Sequence, residues 1–185
     1  IQKDAFSICF WVNFKEFNNS VLARFQSKRD ASGGSYYQVA GDFNIKSASE
    51  YGTATNALVW DASNGDVVVN DFFNLGINQW YHIAITCSRN GMMAFYRNGL
   101  NVYEEGVLSD GMIDKNEIYR VFIGGFNGNI HDFRIYNKYL ILQDIKNIIL
   151  SNILYSFITP NLLLKETPIH YWKFTNISNS MAPNS

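Results

Sequence analysis

The chain has 185 residues, of which 47% are hydrophobic and 17% are charged, and its net charge is -1 at pH 7. This length accommodates one domain with a sizeable core, and the composition excludes a disordered chain. A net charge near zero, without any long basic run, argues against a nucleic-acid partner, because phosphate neutralisation requires a stripe of Lys and Arg.

The chain opens with alternating apolar and polar residues, which is typical of strands that bury one side. Segments with this period predict strands at 6–14, 20–25, 57–60, 66–73, 79–87, 92–97, 100–106, 119–125 and 129–137. Turn clusters of Gly, Asn, Asp and Ser separate them. The Asn98-Gly99 pair is typical of a type I′ hairpin turn, since both central residues need positive φ. Short strands separated by turn clusters predict a sandwich or barrel rather than alternating strands and helices.

One segment departs from the period of two. Apolar residues spaced by about three and four predict a short amphipathic helix near residues 140–149: they are Leu140, Ile141, Ile145, Ile148 and Ile149. A poorly patterned stretch follows, and a last alternating run occupies residues 169–174. We therefore predict a β-sandwich over residues 1–155. The C-terminal extension, 156–185, is either a closing strand of the sandwich or the start of a following module.

The chain starts at Ile1, directly on a predicted strand, so we expect it to be an excised or processed piece of a longer polypeptide. Its longest apolar stretch is interrupted by polar residues, so membrane insertion is not expected.

The chain has two cysteines, Cys9 and Cys87. Strand parity places Cys87 with the apolar residues of its strand, whereas Cys9 lies on the side opposite to Ile8 and Phe10. Cysteines on opposite sides of their strands cannot easily approach each other. The sequence therefore predicts two free thiols, and the absence of a CxxC pair argues against zinc.

Three stretches, taken in order, resemble laminin-G-like domains of the concanavalin A-like lectin/glucanase superfamily. They are the Trp11-Val12 strand, the Trp-x-His strand at 80–82 with the hairpin at 96–99, and the strand at 128–137 that leads into the helix. The opening strand usual in such domains is absent, although residues 170–185 look like it.

The resemblance implies an all-β fold, a jelly-roll β-sandwich of two antiparallel sheets with one short helix. It also implies a non-catalytic binding or adhesion module, extracellular or on a cell or virion surface, that recognises glycans or a surface protein. A structural component of a larger assembly, such as a viral capsid or tail decoration that contacts neighbouring subunits or modules, remains an alternative. A weaker alternative is a relative of glycoside hydrolases.

No catalytic residue is predicted. Glycoside hydrolysis needs two carboxylates that flank the sugar, and no strand carries such a pair at i and i+2 or i+4. The three histidines, His82, His131 and His170, fall in separate predicted strands. We interpret His82 as a structural group with satisfied ring nitrogens.

A glycan site needs an exposed aromatic ring beside amide and carboxylate groups, because sugar rings present apolar C–H faces. Two segments offer both kinds of group, and the predicted ligand-binding residues are Tyr36, Tyr37, Asp42, Trp60 and Asn64. Since consecutive strands of a jelly roll are joined at the sheet edges, these two segments are expected to share one rim.

Calcium is the one cofactor that the sequence suggests. Ca²⁺ takes six to eight oxygen ligands from carboxylates, amides and carbonyls. Asp61 and Asp66 flank Asn64 within one turn cluster and are the predicted metal ligands, with Asp132 among the possible partners. An ordinary Asx-rich hairpin turn remains the alternative.

Overall fold

The computed structural model describes residues 5–27, 43–51, 54–62, 65–67, 75–88, 92–105, 118–154, 168 and 170–172. In chain order these residues form β1 Phe6–Phe14, β2 Val21–Ser27, β3 Phe43–Tyr51, β4 Ala54–Ala62, β5 Gly65–Val67, β6 Trp80–Cys87, β7 Met93–Arg97, β8 Leu100–Glu105, β9 Ile118–Ile123, β10 Gly128–Tyr136, α1 Leu142–Leu154 and β11 His170–Trp172. Within this part of the chain, no helix is both long and apolar enough to cross a membrane.

The strands form two antiparallel sheets. The six-stranded sheet has the order β11-β10-β1-β6-β7-β8, and the five-stranded sheet has the order β5-β4-β3-β2-β9. The expected all-β sandwich of two antiparallel sheets with one short helix is thereby confirmed. The run at 169–174 contains β11, which pairs with β10 in the six-stranded sheet; the boundary between the sandwich and the C-terminal extension stays a prediction.

Several elements differ from their predicted bounds, among them β4, β5 and β9; one strand and the helix differ for a clear physical reason. The strand β3 was not predicted, because Phe43–Tyr51 has few large apolar residues, and it is its pairing with β2 and β4 that defines it. The helix begins at Leu142 and continues to Leu154. Asp144 accepts a hydrogen bond from the backbone N–H of Ile141 at 3.2 Å. This bond caps the first turn and sets the start of the helix.

The main core lies between the two sheets and consists largely of phenylalanine rings. The Phe133 ring stacks on Phe10, with centroids 5.4 Å apart, and on Phe25 of the opposite sheet, with centroids 6.5 Å apart. All three rings are buried. Burying each such side chain contributes about 1.5–3 kcal/mol relative to leaving it in water. Phe133 therefore ties β10 to β1 and joins the two sheets.

A second core lies on the other side of the six-stranded sheet, beneath α1. Ile145 and Ile148 of the helix pack there with Cys9, Ala84 and Tyr96, all of them buried. The opposite placement of the two cysteines predicted from parity is confirmed, since Cys87 belongs to the core between the sheets. Both cysteines are free.

Ser7 fixes the chain that leads into α1. Its hydroxyl donates to the carbonyl of Lys138 at 2.8 Å and accepts from the backbone N–H of Leu140 at 3.0 Å. One side chain of β1 thus forms hydrogen bonds with two backbone groups of the segment that leads into α1. The start of the helix is anchored to the centre of the sheet.

The Asn98-Gly99 turn has the predicted geometry, with φ of 53° at Asn98 and 76° at Gly99. The turn also closes onto the neighbouring strand. The backbone N–H of His82 donates to Asn98 Oδ1 at 2.9 Å, and the backbone N–H of Asn98 donates to the His82 carbonyl at 2.8 Å.

Buried polar groups lie on the side of the six-stranded sheet that faces away from the main core. Arg134 Nε donates to Asp132 Oδ1 at 2.8 Å, and both side chains are almost fully buried. His82 is 0% exposed, and its ring meets Trp11 edge-on with centroids 5.2 Å apart. Neither ring nitrogen of His82 has a hydrogen-bond partner among the described residues. The predicted satisfaction of its ring nitrogens is therefore not found among the described residues, and its structural role stays a prediction.

Burial sets the protonation of this cluster. Desolvation, with a smaller contribution from the positive charge of Arg134, lowers the pKa of His82 to about 3. Burial also raises the pKa of the Cys9 thiol and the pKa of the Tyr136 phenol to about 12. All three groups are therefore neutral at physiological pH.

The two thiols provide a test of the strand parity. Unfolded in denaturant without reductant, the protein should react with two equivalents of a thiol reagent per chain. In the folded state both should react much more slowly, because both sulfurs are buried and the thiolate of Cys9 is disfavoured. Fewer than two reactive thiols in the unfolded chain would indicate a disulfide and contradict the register of β1 and β6.

His82 should make the stability depend on pH. The unfolded state takes up a proton near the ordinary histidine pKa of about 6.5, whereas the native state resists protonation until about pH 3. The contribution to stability is therefore fully present above pH 6.5 and is lost as the pH falls toward 3. Denaturant titrations at pH 7.5 and pH 5 should differ by about 2 kcal/mol on account of this group.

The variant His82→Phe should lose that part of the pH dependence while keeping an aromatic ring beside Trp11. His131→Gln is the matched control, because it removes an imidazole that flanks the same Trp11 but is only partly buried. An unchanged pH dependence in His82→Phe would show that another group titrates.

Candidate functional site

The structure covers the predicted site residues only in part. Tyr36, Tyr37, Asp42 and Asn64 lie outside the described residues. Trp60 and Asp61 belong to β4 and Asp66 to β5, where the backbone register is defined.

The register brings Asp61 and Asp66 together. They are direct partners across the β4–β5 pair, and Asn44 of β3 is the partner of Asp61 on its other flank. Direct partners lie on the same side of a sheet, with Cβ atoms about 4.5–5.5 Å apart. The two predicted metal ligands therefore share one side with a third oxygen-bearing residue.

Trp60 has the opposite parity. Its partner in β3 is Ile45, whose side chain is buried in the core between the sheets. Leu58, two residues earlier in the same strand, is also buried. The register thus assigns position 60 to the core side, whereas positions 61 and 66 lie on the outer side.

The outer row continues across the whole five-stranded sheet. Asn44 is also the partner of Arg24 in β2, and Arg24 is the partner of Phe122 in β9. Arg24 is exposed and Phe122 is 50% exposed. We call this set the sheet row: Phe122, Arg24, Asn44, Asp61 and Asp66.

The sheet row brings together residues that are far apart in the sequence. An exposed ring and an exposed guanidinium lie at one end, and two carboxyl residues lie at the other. Arg24 and Phe122 were missed because the signal that finds them is the strand order, which brings β9 beside β2. The sequence carries a signal for Arg24 alone, which is a charged residue between the apolar Ala23 and Phe25, whereas Phe122 lies in a continuous apolar run.

Asp132 does not join this site. It lies in β10 of the six-stranded sheet and pairs with Arg134, so the suggestion that it partners Asp61 is wrong. No cluster of three metal-ligating side chains occurs among the residues whose side chains are described. The calcium site at Asp61 and Asp66 stays a prediction.

An exposed tryptophan on the six-stranded sheet was also missed. Trp80 is 47% exposed at the start of β6 and is the register partner of Asn13. The parity of β6 could have identified it, because Trp80 lies on the side opposite to Tyr81, Ile83 and Ile85.

The histidines do not form a catalytic constellation in the described structure. His82 and His131 are the partners of Trp11 on its two flanks, so an entire strand separates them. His82 is inaccessible, and burial keeps its ring neutral at physiological pH. It is unsuited to general acid or base catalysis.

Comparison with known structures shows the same fold in several binding domains. Domain 4 of an extracellular arabinanase from Geobacillus stearothermophilus, in complex with arabinotriose, is 16% identical with a TM-score of 0.55, over 80% of this chain and 68% of that chain. A putative carbohydrate binding protein from Bacteroides ovatus is 17% identical with a TM-score of 0.57, over 77% of this chain and 40% of that chain.

A third structure concerns botulinum neurotoxin type C, whose cell entry depends on interaction with two ganglioside molecules. It is 20% identical with a TM-score of 0.54, over 80% of this chain and 36% of that chain. The chain thus spans about two thirds of the arabinanase domain but less than half of the other two. A search of curated proteins gives no match.

The sequence itself matches a family profile over residues 1–146, which is most of the chain. The three resembling stretches lie almost entirely within this range, and the two antiparallel sheets have the expected architecture. The chain therefore belongs to the laminin-G-like family of the concanavalin A-like lectin/glucanase superfamily.

Proposed function

We propose that this chain is a non-catalytic surface or extracellular binding module that recognises glycans through the outer side of its five-stranded sheet. The observation that carries the proposal is the sheet row, which crosses all five strands on the side away from the core. It combines an exposed ring with polar residues in one line.

The chemistry of the row matches that of a sugar. The apolar C–H face of a sugar ring packs on an aromatic ring, here Phe122, and the hydroxyl groups bind side chains with donors and acceptors. Arg24 is exposed and places a guanidinium, a group of N–H donors, in the row. Asp61 and Asp66 supply oxygens, which bind hydroxyl groups directly or through a calcium ion.

The family and the structural neighbours support a binding role. Structures with this fold include an arabinanase domain with bound arabinotriose and a ganglioside-dependent neurotoxin. Function does not follow from fold alone, so the row and its chemistry bear the argument. The competing assembly component would use the same surface to contact neighbouring subunits and would bind no sugar.

The same row sharpens the hydrolase alternative. Retaining glycosidases use two carboxylates, and Asp61 and Asp66 are register partners in the β4–β5 pair. The pair lies at the sheet edge, on β5, and the described histidines cannot assist it. Release of reducing sugar from a bound glycan would overturn the non-catalytic assignment.

Phe122 provides a test of the proposed glycan surface. On a glycan array the wild-type protein should bind, and Phe122→Ala should weaken that binding by about 1–3 kcal/mol, which is the cost of losing an aromatic anchor. Leu100→Ala is the matched control, because Leu100 is 66% exposed but lies on the other sheet. Folded wild-type protein that binds no glycan, with or without calcium, would favour the assembly component.

Trp60→Ala separates a binding defect from a folding defect. Because position 60 has core-side parity, we expect this change to lower the free energy of unfolding by about 3–5 kcal/mol. Phe122→Ala should leave the denaturation curve nearly unchanged, since Phe122 is half-exposed. A stable Trp60→Ala protein that fails to bind glycans would instead restore Trp60 to the binding surface.

A second test concerns calcium. If Asp61 and Asp66 hold Ca²⁺, millimolar calcium should raise the melting temperature by mass action, and a chelator should reverse the rise. The double variant Asp61→Asn, Asp66→Asn should melt at the same temperature with and without calcium. If calcium does not change the melting temperature of the wild-type protein, Asp61 and Asp66 do not hold Ca²⁺. The two carboxylates would then bind sugar hydroxyl groups only directly.

A further inference from the structure

Among the described residues, the helix α1 packs over the part of the outer side of the six-stranded sheet that contains Cys9, Ala84 and Tyr96. Trp80 lies on the same side, is not among the residues packed beneath the helix and is 47% exposed. The region around Trp80 is the second surface that the sandwich offers.

One register row crosses this region. Asn13 of β1 is the partner of Trp80 in β6 and of Asn129 in β10. Trp80 is 47% exposed, Asn129 is partly exposed and Asn13 is 8% exposed. An indole ring therefore lies beside two amides on one side of three adjacent strands. We call these three residues the Trp80 platform.

The next row lies beside the platform on the same side of the sheet. Trp11 lies two residues before Asn13 on the same side of β1, and its ring packs edge-on against the buried His82. Its Nε1 has no partner among the described residues. This indole is a close neighbour through which occupancy of the platform can be observed.

The platform carries no charge. Its three residues are neutral, and His82 in the next row is neutral because burial lowers its pKa to about 3. The exposed Lys15 and Glu16 border it just beyond the end of β1, and they carry opposite charges. An acidic or basic ligand would gain little here.

The size of the platform limits its occupant. Three neighbouring strands span about 10 Å, and two rows along a strand span about 7 Å. This footprint is that of a small ligand, whereas a stable protein interface buries ~800 Å² per partner. It suits one or two rings of a small ligand that stacks on an aromatic side chain and hydrogen-bonds to amides.

We propose that the Trp80 platform is a second saccharide-binding site, for a neutral sugar ring, on the sheet opposite to the sheet row. The ligand class rests on the proposed glycan-binding function, whereas the location rests on the register, exposure and neutrality of these residues. The amide of the partly exposed Asn129 would bind hydroxyl groups of the ring stacked on Trp80, and the buried Asn13 would hold the polar floor between them.

The test compares four proteins on an array of neutral and acidic glycans: wild type, Trp80→Ala, Trp80→Tyr and Leu100→Ala. We expect Trp80→Ala to lose at least about tenfold in affinity for neutral glycans, and Trp80→Tyr to retain most of that affinity because it keeps a stacking ring. Leu100→Ala should match the wild type. Unfolding curves should show that all four proteins are folded.

The same comparison on a Phe122→Ala background distinguishes the two sites. The second site is supported if the Phe122→Ala protein still binds neutral glycans and the added change Trp80→Ala abolishes that binding. It is also supported if the ligand shifts the indole N–H signals of Trp80 and Trp11 in NMR spectra. If Trp80→Ala does not change neutral-glycan binding in either the wild type or the Phe122→Ala protein, the second site is overturned. The proposed function is not affected by that result. Wild-type protein that binds no glycan overturns both.

Discussion

Burial of β1 on both of its sides is the constraint on which the rest of the structure depends. Phe10, Val12 and Phe14 are buried between the sheets, whereas Ser7 and Cys9 face the region beneath α1. Side chains alternate along a strand, so a slip of one residue in the register would exchange the two sets. It would place Phe10 where Cys9 now meets the helix and would separate Ser7 from Lys138 and Leu140. The register of β1 is therefore strongly specified.

This constraint decides which surfaces are left for a ligand. The inner sides of both sheets are committed to the core, and α1 occupies part of the outer side of the six-stranded sheet. Small residues at Ala84 and Ala94 give the helix room to pack there. What remains, among the described residues, is the outer side of the five-stranded sheet and the region of the six-stranded sheet that contains Trp80. Polar residues next to an exposed ring occur on both.

The period of two predicted most of the fold, because a buried strand leaves its mark in local sequence. The strand β3 escaped, since a strand held by two neighbours needs few large apolar residues of its own. The candidate site was less accessible to sequence reasoning. Asp61 and Asp66 were within reach because one hairpin joins them. Arg24 and Phe122 were not, because their alignment with Asp61 depends on strand order, which is a property of the whole sheet.

The two surfaces face away from each other across the sandwich. Two packed sheets are about 10 Å apart from centre to centre, so a ligand bound at Phe122 cannot also reach Trp80 without passing around the rim. If both proposed sites bind glycans, a single short glycan would occupy one of them at a time. Two glycan chains would then be bound together, with the second binding event governed by effective concentration rather than by free concentration. Weak contacts on each sheet, each with a single aromatic ring, would in this way suffice for firm attachment to a densely glycosylated surface.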